Sequence, residues 1–219
     1  IPVALAQDGP HASAAGGLGL APVGGVAHNW LVAACERAAI ETRVAADYRA
    51  LKWSKLALNL VANAACAILD VAPARLVALE GALALELRAL RETFAVMAAQ
   101  ELRTLDLPRY PVNLLRRVVA LPTPLASALL ARRFAAARSG KLPSLLLDLR
   151  AGRRRTEIDA LCGAVVAAGR RHAIPTPVNA TYQRLVNDLT AEPALRERYR
   201  GRIDLFCSEV ERETNRRLA

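Results

Sequence analysis

The sequence predicts an all-α fold, and its composition and apolar spacing are the reasons. Hydrophobic residues make up 53% of the 219 residues and aromatic residues only 4%, so the core must consist mostly of Ala, Leu and Val. That composition favours helices over strands. From His28 onward, apolar residues recur at helical spacing almost throughout. We therefore expect a helical domain over residues 28–219.

Residues 1–27 differ from the rest of the chain. The opening run "IPVALAQDG" is short and apolar and ends in a turn signal, which predicts one strand and a loop. The following "PHASAAGGLGLAPVGG" is rich in Gly and Ala and has no period, as expected of a connector. The chain has no initiator Met and no basic leader region, so we expect a part of a longer polypeptide, or a processed product, without a signal peptide.

Charge and cysteine content restrict the possible partners. The formal charge of +10 suits anionic ligands, but a solvated arginine-rich surface is the simpler explanation for it. The arginine clusters are scattered and not interleaved with aromatic residues, so we expect no nucleic-acid binding. No apolar run reaches the length of a membrane span. The cysteines lack metal-ligand or disulfide spacing and predict free thiols in a reducing cytoplasm, with no metal site. They are Cys35, Cys66, Cys162 and Cys207.

The segment "KWSKLALNLVANAACAIL", residues 52–69, has apolar positions around its whole circumference, which predicts one central, enclosed helix. Lys55, Asn59 and Asn63 follow one another at steps of four residues and would form one polar stripe along it. A desolvated lysine is a useful proton donor or base, and amides can orient a small polar substrate. The alternative is that Lys55 extends to solvent and the amides cap neighbouring helices.

Other helix boundaries follow from local signals. One long helix or two, interrupted near Gly81, are expected over residues 74–105. Prolines are expected to divide residues 106–138 into short helices. Thr156 predicts an N-cap, with Glu157 in the first turn, where the helix dipole stabilises a carboxylate. A further helix is expected from about Pro177 to Leu189. The last segment predicts an apolar stripe that packs on the protein itself or on a second subunit, formed by Leu195, Tyr199, Ile203, Phe206 and Val210.

Two long motifs resemble a known family. The segment "ERAAIETRVAADYRALKWSKLALNLVANAACAIL" resembles the ketopantoate reductase (2-dehydropantoate 2-reductase) pattern "W.KL..N...N". The segment "KLPSLLLDLRAGRRRTEIDALCGAVVAAGRRHAIPTPVNATYQRLV" resembles the same family's helix with a serine followed by "TEID". The motifs occur in the family's order, and the resemblance covers most of residues 28–190.

The resemblance implies a C-terminal helical domain of the 6-phosphogluconate dehydrogenase-like superfamily over residues 28–219, with residues 1–27 as the remnant of a Rossmann domain and linker. It implies NADPH-dependent reduction of the small 2-keto acid 2-dehydropantoate to pantoate, for pantothenate synthesis in the cytoplasm. By position, Lys55 matches the family's catalytic lysine, and Asn59 and Asn63 match the amides that bind the substrate. Ser144 matches the serine that binds the substrate. Glu157 matches a glutamate that helps fix the lysine and the cofactor.

The turn "AQDG" resembles the family's "QNG" turn, whose asparagine touches cofactor and substrate, and this implies a cofactor-binding role for Asp8. The strand and glycine-rich loop that bind the pyrophosphate are absent from these residues, so NADPH would be bound mainly by a domain outside them. Two alternatives stay open. One is a helical dimerisation or interaction module without catalysis, for example one that forms a homodimer; the other is a reductase for a different 2-keto acid.

Overall fold

The computed structural model describes the backbone of residues 4–6, 9–11, 18–20, 29–136 and 142–218. Helices make up most of these residues, which confirms the all-α class. The helices are α1 (Asn29–Arg37), α2 (Tyr48–Leu60), α3 (Asn63–Leu69), α4 (Pro73–Val77), α5 (Ala82–Ala99), α6 (Val112–Ala120), α7 (Thr123–Ala136), α8 (Ser144–Arg150), α9 (Cys162–Arg171), α10 (Pro177–Ala191), α11 (Leu195–Tyr199) and α12 (Ile203–Leu218). The strands are β1 (Ala4–Ala6), β2 (Gly9–His11), β3 (Leu18–Leu20) and β4 (Thr42–Val44).

The chain forms two compact units. The first contains Ile1–Leu56 and Leu102–Arg116, and the second contains Ala57–Glu101 and Arg117–Ala219. In the first unit β1 pairs antiparallel with β2, whereas β3 pairs parallel with β4 and α1 connects them. Of these described strands only one, in the opening run, was predicted. Strands β2 and β3 fall in the segment predicted as a loop and connector, and β4 falls in the part predicted as helical, since strands this short are recognisable only with their partners in place.

Helix α3 lies at the centre of the second unit, and all of its residues are buried. It packs against α8 and α10, while α5 packs against α7, α9 and α10. Asp70 ends α3 in a left-handed conformation. Its carboxylate forms ion pairs with Arg150 at 2.7 Å and with Arg200 at 3.1 Å. Because Gly201 N–H also donates to the Leu69 carbonyl at 2.8 Å, both the side chain and the backbone fix this helix end.

The prediction of one continuous helix over residues 52–69 is wrong. Helix α2 ends at Leu60, and Ala62 adopts a left-handed conformation, with φ of 58°, before α3 begins at Asn63. The Ala62 N–H donates to the Glu86 carboxylate at 2.5 Å and not to a carbonyl of its own helix. The residues of the expected stripe are therefore divided between two helices. Only α3 is enclosed, because α2 has several exposed residues.

Several other predicted boundaries agree with the structure. Gly81, with φ of 81°, separates α4 from α5, as predicted. The Thr156 hydroxyl accepts from the Ile158 N–H at 3.4 Å, but it caps a short 3-10 turn, Glu157–Asp159, which precedes α9. The last segment differs from the prediction of one helix, because Gly201, with φ of 66°, divides it into α11 and α12. Its apolar stripe packs on the protein's own body, where Tyr199, Phe206 and Val210 are buried.

Glu92 caps α10 from a distance of more than 80 residues along the chain. Its carboxylate accepts from the backbone N–H groups of Val178 at 2.8 Å and Asn179 at 2.9 Å, and from the Asn179 side chain at 2.7 Å. Removing such a cap leaves the first N–H groups of the helix without partners.

We expect Glu92→Ala to lower the free energy of unfolding by about 1 to 2 kcal/mol, as for the loss of a helix cap. Urea denaturation followed by circular dichroism measures the change. Glu80→Ala is the matched control, because Glu80 is exposed just before α5, the helix that carries Glu92. This substitution should change stability very little. Equal midpoints for the two variants would contradict a capping role for Glu92.

Candidate functional site

Helix α2 carries the first two site residues that the sequence predicts. Lys55 and Asn59 lie one turn apart on this helix, and both side chains are exposed. The prediction that both side chains belong to an enclosed helix is therefore wrong. Only one face of α2 is buried, and Ala57 and Leu60 lie on it, whereas Lys55 and Asn59 lie on the opposite, exposed face. An ammonium group and an amide are thus presented side by side on an accessible surface.

Asn63 and Ser144 are brought together although they are far apart in sequence. The Asn63 amide nitrogen donates to the Ser144 hydroxyl at 3.3 Å, and its carbonyl oxygen accepts from the Leu145 backbone N–H at 3.1 Å. Asn63 is buried, whereas Ser144 is exposed at the first position of α8. Asn63 therefore fixes the start of α8, as in the helix-capping alternative, and also positions a hydroxyl group at the surface.

Glu157 is exposed at the first residue of the 3-10 turn that Thr156 caps. Within the described part of the chain, no hydrogen bond joins Glu157 to Asn63 or Ser144. An exposed carboxylate remains accessible to a ligand and can accept hydrogen bonds from hydroxyl or amide groups. The sixth predicted site residue, Asp8, lies outside the described residues.

Sequence reasoning missed a buried carboxylate beside this site. Glu86 on α5 is only 2% exposed; one of its oxygens accepts from Ala62 N–H, and the other accepts from the Tyr182 hydroxyl at 3.0 Å. Burial raises the pKa of Glu86 to about 7, although the hydrogen bonds from Ala62 and Tyr182 oppose the increase. This carboxyl group therefore changes its charge near neutral pH, directly behind the junction of α2 and α3.

A sequence signal for Glu86 exists. In "ALALELRALRETF" it lies three residues after Leu83 and four before Leu90, on the apolar face of a helix. Leu83, Leu87 and Leu90 are all buried. A lone glutamate at such a position predicts a buried carboxylate that requires hydrogen-bond donors, but the sequence does not indicate which donors those are.

Comparison with known proteins supplies the wider context. The family model described as "Ketopantoate reductase PanE/ApbA C terminal" matches residues 47–190. The chain belongs to the ketopantoate reductase family. The match includes α2, α3, α8 and α10, and hence Lys55, Asn59, Asn63, Ser144 and Glu157.

Individual relatives agree with the family assignment. The chain is 30% identical over 151 residues to a 2-dehydropantoate 2-reductase of Pyrobaculum aerophilum, an alignment that covers 69% of the chain and 47% of the relative. A solved PanE/ApbA family ketopantoate reductase from Ralstonia eutropha is 28% identical, with a TM-score of 0.60, and the alignment covers 80% of the chain and 53% of that protein. The chain thus spans about half the length of these relatives.

A third solved structure extends the fold comparison. A D-mandelate dehydrogenase in complex with NADH is 21% identical, with a TM-score of 0.61, over 79% of the chain and 54% of that protein. This similarity concerns the fold. The two relatives at 28% and 30% identity are reductases by name, that is, oxidoreductases. Of the described helices, none combines the length and the apolar character needed to cross a bilayer.

Proposed function

We propose that this chain is the substrate-binding part of an NADPH-dependent reductase that converts 2-dehydropantoate to pantoate. The observation that carries the proposal is the contact between Asn63 and Ser144 inside the region that matches the family. Two polar residues 81 positions apart meet at the surface end of a buried helix, where a small polar ligand can reach the hydroxyl group.

The proposed roles follow from the chemistry of each side chain. Reduction of a ketone creates negative charge on its oxygen, and the Lys55 ammonium group stabilises that charge and donates the proton that completes the alcohol. Asn59, one turn further along α2, can hydrogen-bond the same ligand. Ser144 and the remaining N–H of Asn63 are donors that suit the carboxylate of a 2-keto acid. Bound substrate and a closed nucleotide-binding domain would exclude water from Lys55.

NADPH, when bound, supplies the hydride to the ketone carbon. The exposed Glu157 carboxylate fits such a cofactor, because it can accept hydrogen bonds from ribose hydroxyl or carboxamide groups. Asp8 is proposed to lie on the cofactor side as well. Three exposed arginines shortly before Glu157 add positive charge that suits phosphate groups, namely Arg153, Arg154 and Arg155.

The proposed division of the chain at residue 28 stays a prediction. The parallel unit of β3, α1 and β4 has the β-α-β connectivity from which nucleotide-binding domains are built, and it extends to Val44. This connectivity supports the proposal that the N-terminal part of the chain derives from such a domain.

The alternative of a dimerisation module without catalysis has less support. That alternative assigns the function to the apolar stripe of the last segment, but Tyr199, Phe206 and Val210 are already buried within the second unit. A homodimer would need another surface. For the alternative of a different 2-keto acid, a D-mandelate dehydrogenase of similar fold, solved with anilino(oxo)acetate, provides a test ligand.

The chain joined to the nucleotide-binding half of the Ralstonia eutropha relative provides the test. Once NADPH binding to this hybrid is established by fluorescence, we expect oxidation of NADPH on addition of 2-dehydropantoate. Anilino(oxo)acetate tests the alternative substrate class by competition. Asn63→Ala should weaken keto-acid binding about 10-fold or more, as expected for loss of a hydrogen bond to a charged group, whereas Asn215→Ala on the exposed face of α12 should not. A hybrid that binds NADPH but reduces or binds neither acid would overturn the proposal.

A further inference from the structure

We infer that Glu86 and Tyr182 form a positioning pair: the ionised Glu86 carboxylate keeps Ala62 in its left-handed conformation and thereby places Asn63 against Ser144. This inference rests on the proposed function in treating Asn63 and Ser144 as substrate contacts. The pair itself is defined by three hydrogen bonds, from Ala62 and Tyr182 to Glu86 and from Asn63 to Ser144.

The backbone at the junction of α2 and α3 needs an external partner. In a continuous helix the Ala62 N–H would donate to the Leu58 carbonyl. Here the Val61 N–H donates to the Leu58 carbonyl instead, at 3.3 Å, and the Ala62 N–H donates to Glu86. A left-handed conformation is unfavourable for alanine, which has a Cβ atom. A charged acceptor that binds the freed N–H group compensates for this cost, because hydrogen bonds to carboxylates are stronger than neutral ones.

The break determines where Asn63 points. If α2 continued without interruption, Asn63 would follow Asn59 on the same face of the helix, with an offset of only about 40°. Asn59 is exposed, whereas Asn63 is 8% exposed and bonds to both Ser144 and Leu145. The left-handed Ala62 therefore turns Asn63 away from the α2 surface and toward α8.

Tyr182 fixes the carboxylate in turn. Its hydroxyl donates to the Glu86 oxygen that does not bind Ala62, and its ring is 1% exposed. The ring packs on Phe206 of α12, with the ring centroids 5.1 Å apart and the planes tilted by 37°. Because the ring is enclosed in this way, the hydroxyl has a defined position from which to orient Glu86.

The surroundings of Glu86 make it the group that titrates near neutral pH. The other titratable groups that interact with it are Tyr182 on α10, Cys162 on α9 and Cys66 on α3. Burial and the nearby Glu86 carboxylate raise the pKa of all three, so they are neutral at pH 7. Burial raises the pKa of Glu86 to about 7, so Glu86 is the member of this group that changes charge near neutral pH. The hydrogen bond from Ala62 should therefore strengthen as pH rises through about 7.

Hydrogen exchange of the Ala62 amide, measured by NMR on the 219-residue chain, tests the inference without any need for activity. After correction for the intrinsic exchange rate, we expect protection to increase as pH rises through about 7. Glu86→Gln should abolish this pH dependence and speed exchange about 10- to 100-fold well above pH 7, as for loss of a charged acceptor. Glu80→Gln is the exposed control and should leave both unchanged. Unchanged protection and pH dependence in Glu86→Gln would overturn the inference.

Tyr182→Phe keeps the ring and removes only the hydroxyl group, so it carries the test if Glu86→Gln does not fold. We expect Ala62 protection to decrease but its pH dependence to remain. In the hybrid enzyme, each variant should raise KM for the keto acid several-fold and leave KM for NADPH unchanged. An active hybrid with an unchanged keto-acid KM would contradict the positioning role. An inactive wild-type hybrid with the expected Ala62 response would contradict the proposed function instead.

Discussion

Replacement of Lys55 by alanine is expected to lower the turnover of the hybrid enzyme by about 10²-fold or more, the usual contribution of a positioned proton donor. Without the ammonium group, the negative charge that develops on the ketone oxygen has neither a cation nor a proton donor beside it. Binding of the keto acid should change less than turnover, because the interaction is strongest when that charge develops. Steady-state kinetics with saturating NADPH separate kcat from KM.

Lys52→Ala is the matched control for this experiment. Lys52 is also exposed on α2, about one turn before Lys55, and its ammonium group lies 5.5 Å from the centre of the Tyr48 ring. Its replacement removes the same charge from the same helix and should leave turnover close to the original value. Similar losses in both variants would indicate a general effect of helix charge, and nearly unchanged turnover in Lys55→Ala would exclude the proton-donor role.

We expect the stability of Glu86→Gln relative to wild type to increase as pH rises. Burial raises the pKa of Glu86 from 4.5 to about 7, so folding favours its protonated form. The corresponding stability is fully present below about pH 4.5 and is lost as pH rises to about 7. A change of this size corresponds to about 3 kcal/mol. The neutral glutamine avoids this loss, so the variant should gain about that much relative to wild type across the same interval.

Urea denaturation of the two proteins at a series of pH values measures this difference. Comparison with wild type at each pH cancels the titration of all the other groups that the two proteins share. Glu80→Gln, which removes an exposed carboxylate, should show a nearly flat difference across the interval. A flat difference for Glu86→Gln would mean that the carboxyl group has an ordinary pKa in the folded chain.

The contrast between Gly81 and Ala62 shows which helix boundaries can be predicted from sequence. Both residues are left-handed and separate two helices, but only the break at Gly81 was predicted. Glycine adopts this conformation readily, so the local sequence already indicates a break. Alanine has the highest helix propensity, and the break at Ala62 depends on a hydrogen bond to Glu86, 24 residues away. No local rule detects such a bond.

The candidate site shows a similar division. The spacing of Lys55, Asn59 and Asn63 and the resemblance to a family are enough to predict these candidate residues from the sequence. Their surroundings were predicted less well, since Lys55 and Asn59 are exposed and Asn63 begins a separate helix. The contact between Asn63 and Ser144 depends on how α3 packs against α8, and packing between distant segments cannot be derived from periodicity.

The hydrogen bonds of Asn63 also determine the polarity of the surface that a ligand would meet. Its carbonyl oxygen is occupied by the Leu145 N–H, and one amide proton is donated to Ser144. Among the described residues, no partner is found for the second amide proton or for the Ser144 hydroxyl proton, so both can interact with a ligand. The surface formed by Asn63 and Ser144 therefore offers mainly hydrogen-bond donors. It should bind compounds with acceptor oxygens, such as carboxylates, in preference to amines of the same size.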